Sequence, residues 1–196
     1  MEFIRIYNGF GGLQHQEDTL SRLIDELKSG EAIWQPTGKS TKKGYQSPPA
    51  VNLFADPSGP MAVAHQIVQH TIEKYRNSFS SEQCIFITDF PKKIILQAWF
   101  VRLLKDGHQT EHIHPDGWLS GVFYVQVPQF SDPGEGCIEL SLWKPGFPTP
   151  KKTIPRKQHH PKTGDIILFP SSLFHRTLPF HSNEERLCIA FDLVPD

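Results

Sequence analysis

The sequence has few cysteines, almost no net charge and no long hydrophobic run. Cys84, Cys137 and Cys188 are widely spaced and form no CxxC pair, so we expect no disulfide framework and a reducing cytosol. The formal net charge of −1 gives no basic field that would attract nucleic acid or anionic membranes. No stretch approaches about 18 apolar residues, which excludes a membrane helix. We therefore predict a cytoplasmic protein without a nucleic-acid or membrane partner.

A length of 196 residues predicts a single domain, 1–196, with a helical part in residues 1–80. In the first predicted helix, four apolar residues fall at i, i+3, i+4 and i+7, and Gly30 closes it. These residues are Leu20, Leu23, Ile24 and Leu27. The second helix begins near Pro60, a residue suited to a first helical position. Its predicted apolar stripe is Met61, Ala64, Val68, Ile72 and Tyr75.

From residue 84 onward the pattern changes to short β-branched and aromatic runs divided by Pro, Gly and Asp. The predicted strands are Cys84–Thr88, Ile94–Leu104, Leu119–Val127, Cys137–Leu142, Asp165–Phe169 and Leu187–Val194. No helical pattern separates them, which argues against a parallel sheet. We therefore predict an α+β, mainly β fold: a sandwich or jelly roll over residues 84–196, with the two N-terminal helices packed on it.

Two polar segments have open interpretations. Gln35 to Asp56 is rich in Gly, Ser, Pro and Lys, which is typical of a solvated loop but also compatible with a lid over a site. Trp143 to Gly164 contains five prolines and six basic residues, and such a long excursion is either functional or mobile. Its charges could attract an acidic substrate or form a solvated rim.

The stretch His112-Ile113-His114-Pro115-Asp116 stands directly before a predicted strand. Two imidazoles one residue apart point the same way at the end of a strand, and neutral imidazole is the commonest metal ligand. His175 offers a third ligand, although an HxH pair can also be an ordinary surface turn. Arg186 follows His175 by eleven residues and opens an apolar strand. A guanidinium in that position matches the carboxylate of an acidic cosubstrate.

The motifs resemble those of the iron(II)- and 2-oxoglutarate-dependent oxygenases, in a branch with an HxHP…SGVYY…FPSxxxH…R signature. The matching residues are His112-x-His114-Pro115, Ser120-Gly121-Val122-Phe123-Tyr124, Phe169-Pro170-Ser171-x-x-x-His175 and Arg186. The similarity covers roughly residues 95–194. It implies a cupin-like double-stranded β-helix and a dioxygenase that uses Fe(II), 2-oxoglutarate and O2. Such an enzyme hydroxylates its substrate, here an unidentified small molecule or peptide, and releases succinate and CO2.

Carried over residue by residue, the resemblance makes His112, His114 and His175 the metal ligands. Arg186 then binds the far carboxylate of 2-oxoglutarate, with Tyr124 as a second donor. The wider superfamily has His-x-Asp/Glu where this chain has His-x-His, so the frame His114-x-Asp116 stays open, and the HxHP signature favours His112. A second departure is Cys188, where the superfamily often has a hydroxyl two residues after the arginine.

Two other functions remain open at this stage. One is a cupin-like metalloenzyme that does not use 2-oxoglutarate, against which the position of Arg186 argues. The other is a non-catalytic β-sandwich that binds a peptide or sugar, with the histidines as packing. The oligomeric state is not predictable from the sequence.

Overall fold

The computed structural model describes residues 1–11, 16–130, 132–148 and 154–196. Three helices and ten strands lie within these residues. They are β1 (Arg5–Asn8), α1 (Gln16–Ser29), β2 (Ile33–Trp34), β3 (Thr41–Gln46), α2 (Gly59–Ser78), α3 (Ile85–Thr88), β4 (Ile94–His112), β5 (Leu119–Gln126), β6 (Ile138–Ser141), β7 (Arg156–His159), β8 (Asp165–Pro170), β9 (Phe174–Thr177) and β10 (Arg186–Pro195).

The strands form one curled sheet in which every described pairing is antiparallel. The order is β1-β8-β5-β10-β4-β9-β6-β7, and β3 pairs with β4 outside this path. The 19-residue β4 joins the two halves of the sheet. Its first part pairs with β10, and its last residues, Gln109 and His112, pair with β9. This antiparallel sheet with few helices confirms the predicted α+β, mainly β class.

Side chains alternate between two hydrophobic layers, as period-two strands require. On β4, Ala98 and Phe100 face the layer that packs against α1 and α2. Val101 and Leu103 belong to a second layer inside the curl, together with residues of β5, β6, β8 and β10. All five predicted apolar-stripe residues of α2 are buried in the first layer. The prediction that both helices pack on the β-structure is therefore confirmed.

The prediction of a strand at Cys84–Thr88 is wrong. Residues Ile85–Thr88 form the one-turn helix α3, closed by a hydrogen bond from Thr88 N to Cys84 O of 2.9 Å. Phe86 stacks on Trp118 at 5.8 Å between ring centroids, and its carbonyl accepts a bond from Trp118 Nε1. A run of four residues is too short to show a periodicity that distinguishes a strand from a helix. The secondary structure is therefore determined by the tertiary contact with Trp118.

Both polar segments contain β-strands. Between Gln35 and Asp56, β3 pairs with β4, and Thr41, Gln46 and Ser47 are buried. A solvated loop is therefore the wrong interpretation for that part. Within Trp143 to Gly164, β7 pairs with β6, and Arg156 forms a 2.5 Å ion pair with Glu139. The remainder of that prediction falls partly on residues 149–153, which lie outside the described residues.

Two further features concern the environment of the chain. All three cysteines are free thiols, and burial raises the pKa of both Cys137 and Cys188. Among the described residues, no helix combines the length and the apolar character needed to cross a membrane.

Candidate functional site

Three histidines meet where β4 and β9 run side by side. His112 ends β4 and lies opposite His175 of β9 in the sheet register, and His114 follows two residues later. The ring centroids are 4.2 Å apart for His112 and His175, 4.9 Å for His114 and His175, and 5.2 Å for His112 and His114. Their candidate ligand atoms all lie within 4.8 Å of one another. Side chains so placed can hold one metal ion between them.

Hydrogen bonds orient all three rings in the same way. Nδ1 of His112 lies 2.7 Å from Thr110 O, and Nδ1 of His175 lies 3.1 Å from Leu173 O. Nδ1 of His114 lies 2.7 Å from the Oδ1 atom of Asp192. Each partner is an acceptor, so each Nδ1 donates, and Nε2 is the ring atom that a metal would bind. This arrangement is typical of metal-binding histidines.

The site also favours neutral imidazole, the form that a metal requires. Burial, and next the neighbouring His114, lower the pKa of His112 to about 4. His175 is only 5% exposed, and burial lowers its pKa well below the usual value. Both rings are therefore uncharged at neutral pH.

Asp116, the alternative ligand, stands apart from this cluster. It lines the rim of the adjoining cavity and is exposed. The group of potential metal-binding side chains in the described residues consists of the three histidines without Asp116. The carboxylate that does contact a ring of this cluster is Asp192, which the sequence reasoning missed.

A cavity of about 540 Å³ extends from the histidines into the curl of the sheet. At its inner end, Arg186 is 1% exposed and donates from Nη1 to Thr177 Oγ1 at 3.3 Å. The guanidinium carbon lies 4.9 Å from the ring centroid of Tyr124. Arg186 Nε and Tyr124 Oη are buried and have no hydrogen-bond partner in the described part of the chain. Because unsatisfied buried donors are costly, these two atoms point to an anionic ligand.

The walls between the two polar ends are apolar. Ala190 and Val122 lie opposite each other on β10 and β5 and line the cavity between the histidines and Arg186. Cys188, the residue two positions after the arginine, is buried and donates its thiol proton to Val101 O. The hydroxyl that contacts Arg186 is instead that of Thr177. Burial raises the pKa of Tyr124 and keeps its phenol protonated, as a donor must be.

The segment before β3 closes one side of the cavity. Ser40 Oγ lies 3.3 Å from His112 Nε2 and accepts from Gln109 Nε2 at 3.4 Å. Thr177 Oγ1 in turn lies 3.3 Å from Gln109 Oε1. These contacts connect the N-terminal part of the chain with both ends of the site.

A simple signal could have located Asp192 and Thr177. Asp192 is six residues after Arg186 and therefore on the same face of β10. Thr177 is two residues after His175 and shares its face of β9. In an otherwise apolar strand, a polar side chain that lies an even number of residues from a candidate site residue is expected to face the same cavity.

Comparison with known proteins gives a consistent result. A family described as "Putative 2OG-Fe(II) oxygenase" matches residues 97–192. A prolyl-4-hydroxylase from Pseudomonas putida is similar in structure, with a TM-score of 0.59, 14% identity, and coverage of 98% of this chain and 92% of that chain. No curated protein sequence matches the chain significantly.

Two further solved structures have the same fold. One is a prolyl hydroxylase from Trichoplax adhaerens in complex with a peptide fragment of hypoxia inducible factor, with a TM-score of 0.63, 14% identity, and coverage of 97% and 83% of the two chains. The other is HygX from Streptomyces hygroscopicus with nickel, 2-oxoglutarate and hygromycin B, with a TM-score of 0.59, 14% identity, and coverage of 98% and 83%. These similarities confirm the double-stranded β-helix.

Proposed function

We propose that the chain is an iron(II)- and 2-oxoglutarate-dependent oxygenase that holds iron(II) with His112, His114 and His175 and binds 2-oxoglutarate at Arg186 and Tyr124. The enzyme is an oxidoreductase whose cofactors are Fe(II), 2-oxoglutarate and O2. The observation that carries the assignment is that three converging imidazoles and two unsatisfied buried donors line one cavity.

Iron(II) bound at this site would supply the chemistry of the family, in which O2 and 2-oxoglutarate give succinate, CO2 and a hydroxylated substrate. The residues of the chain bind the metal ion and 2-oxoglutarate and orient them. His112, His114 and His175 would hold the ion with three ligands, and a non-haem iron held by three protein ligands keeps positions for a cosubstrate and O2. Their Nδ1 hydrogen bonds fix the ring planes and leave the Nε2 atoms for the metal.

The cavity matches 2-oxoglutarate in polarity along its length. A dicarboxylate with two methylene groups needs polar ends and an apolar middle. The histidines form one polar end, Arg186 and Tyr124 form the other, and Ala190 and Val122 line the region between them. The planar fork of Arg186 suits a carboxylate, and the phenol of Tyr124 can donate to the same group. Burial of both side chains excludes water from this end.

We propose that the substrate is a small molecule or a peptide and enters past the outer wall. That wall is formed by Trp99, Pro48, Pro49 and Val51. The peptide of the Trichoplax prolyl hydroxylase and the hygromycin B of HygX illustrate both classes on this fold. We also propose a cytoplasmic location without nucleic-acid partners, which the free cysteines and the net charge of −1 support.

Anaerobic titration tests the proposed function. Addition of Fe(II) and then 2-oxoglutarate to the purified protein should produce a metal-to-ligand charge-transfer band, because the cosubstrate chelates the iron through its 2-oxo acid group. A cupin-like metalloenzyme would bind Fe(II) without this band, and a non-catalytic β-sandwich would bind neither. Either result would refute the proposal.

Tyr124→Phe should weaken 2-oxoglutarate binding roughly tenfold or more, since a hydrogen bond to a charged group contributes about 1.5–3 kcal/mol. Iron affinity should not change. The matched control is Tyr7→Phe, which removes another buried hydroxyl without a described partner, on β1 and away from the cavity. Calorimetric titration of the iron-loaded proteins measures the effect. Equal affinities in the two variants would exclude Tyr124 from the cosubstrate site.

A further inference from the structure

The carboxylate of Asp192 lies directly behind one of the three histidines. Asp192 is 8% exposed and belongs to β10, with Ser120 of β5 opposite it on one side and Gln97 of β4 on the other. Its row on β10 also carries Arg186 at the opposite end of the cavity. One strand therefore presents a cation to the inner end of the cavity and an anion to the histidine cluster.

Two polar groups contact this carboxylate, and a third contacts one of them. His114 Nδ1 lies 2.7 Å from Oδ1 of Asp192, and Ser120 Oγ donates to the same oxygen at 2.6 Å. Ser120 Oγ is also 2.8 Å from Ser171 Oγ. A hydroxyl has one proton, and Ser120 uses it on the carboxylate, so Ser171 supplies the proton of the second contact. The network is buried and holds Asp192 in a single orientation.

The other two rings have neutral partners. His112 and His175 bond through Nδ1 to the backbone carbonyls of Thr110 and Leu173. Among the described residues, His114 is the one member of the cluster with a carboxylate partner. A carboxylate that accepts from the distal N–H of a ligand fixes the ring and raises its basicity as a ligand.

The charge at the histidine cluster depends on the one carboxylate among the partners of the three rings. Imidazole ligands bring no negative charge to a divalent ion, and Asp116 is exposed outside the cluster. We propose that Asp192 is a positioning residue for His114 and supplies, through that ring, the negative charge that the three ligands lack. This inference rests on the proposed function, since it requires a metal ion at the three histidines.

Asp192→Asn separates charge from position, because asparagine keeps the size and one acceptor oxygen but is neutral. We expect the variant to bind Fe(II) about 10- to 100-fold more weakly in anaerobic equilibrium dialysis. The charge-transfer band of its Fe(II)–2-oxoglutarate complex should move to shorter wavelength, because an iron with less negative charge nearby gives up electron density less readily. A purely structural role would not shift the band in this direction.

A matched control exists elsewhere in the sheet. Asp165 and His159 form a second carboxylate–imidazole pair, with a 3.0 Å contact and side-chain exposures of 19% and 16%, against 12% and 16% for Asp192 and His114. Asp165→Asn should leave iron affinity unchanged. Thermal unfolding of the metal-free variants confirms that each is folded before the comparison is made.

The outcomes separate this inference from the function on which it depends. If the wild-type protein binds no Fe(II), the proposed function fails. If it binds and Asp192→Asn has the same affinity and band, the role of Asp192 is refuted. A complete loss of binding, equal to that of His114→Ala, would make Asp192 a direct ligand and would also overturn the positioning role.

Discussion

Purified His112→Ala protein should bind no iron(II), whereas Asp116→Ala should bind it with nearly wild-type stoichiometry. The reason is geometric. His112 lies opposite His175 with 4.2 Å between the ring centroids, and its pKa of about 4 keeps it neutral. Asp116 is exposed and outside the histidine cluster. Iron content after anaerobic loading and desalting measures the difference.

The positive controls are His114→Ala and His175→Ala, which remove ligands common to both possible frames and should be severe in either. The opposite pattern identifies the frame His114-x-Asp116. Asp116→Ala would then be the damaging change, and His112→Ala would weaken binding only 10- to 100-fold, as expected for a residue that supports a ligand. A His112→Ala variant that is folded and retains a full equivalent of iron would refute our assignment.

Arg186→Ala should weaken binding of 2-oxoglutarate by roughly thirtyfold or more while iron affinity stays the same. Loss of one partner of a buried charge pair costs about 2–5 kcal/mol, because the other charge remains desolvated. The effect should be large here, since Arg186 is 1% exposed and its Nε has no partner in the described part of the chain. Calorimetric titration of the iron-loaded protein measures the cosubstrate affinity directly.

Two companion variants make this result specific. Arg186→Lys keeps the charge but lacks the planar fork, so its affinity should lie between those of the wild type and the alanine variant. Arg102→Ala removes a neighbouring half-buried arginine that stacks on Tyr45 and does not line the cavity. It should bind 2-oxoglutarate as the wild type does. Unchanged affinity in a folded Arg186→Ala protein would remove Arg186 from the cosubstrate site.

The sequence was sufficient to predict the helices and strands whose apolar periodicity matches the face that is buried in the fold. The i, i+3, i+4 spacing identified α1 and α2, and the β-branched runs identified the five central strands β4, β5, β6, β8 and β10. The same reasoning failed at Ile85–Thr88, because one turn of apolar residues has no period and its contact with Trp118 is not visible in the sequence.

The part of the site that depends on the alternation of side chains along a strand could be predicted from the sequence. The HxH pair places two imidazoles on one side, and the structure adds His175 through the pairing of β4 with β9. Ser40, and the contact of Asp192 with His114, were missed because both depend on pairings between distant parts of the chain. Ser40 is 72 residues from His112, and Asp192 is 78 residues from His114. The predicted roles of the ligands and of Arg186 and Tyr124 stay predictions until the variants are measured.

The length of β4 has a consequence for any attempt to reduce the protein to a minimal catalytic fragment. The family match begins at residue 97, inside this strand. A fragment of residues 97–192 would uncover Ala98 and Phe100, which pack against the helical layer. It would also remove Ser40 from the cavity wall and β1 from the free edge of β8. Residues 97–192 therefore contain the proposed ligands, whereas the N-terminal half covers the outer face of the sheet and forms one wall of the cavity.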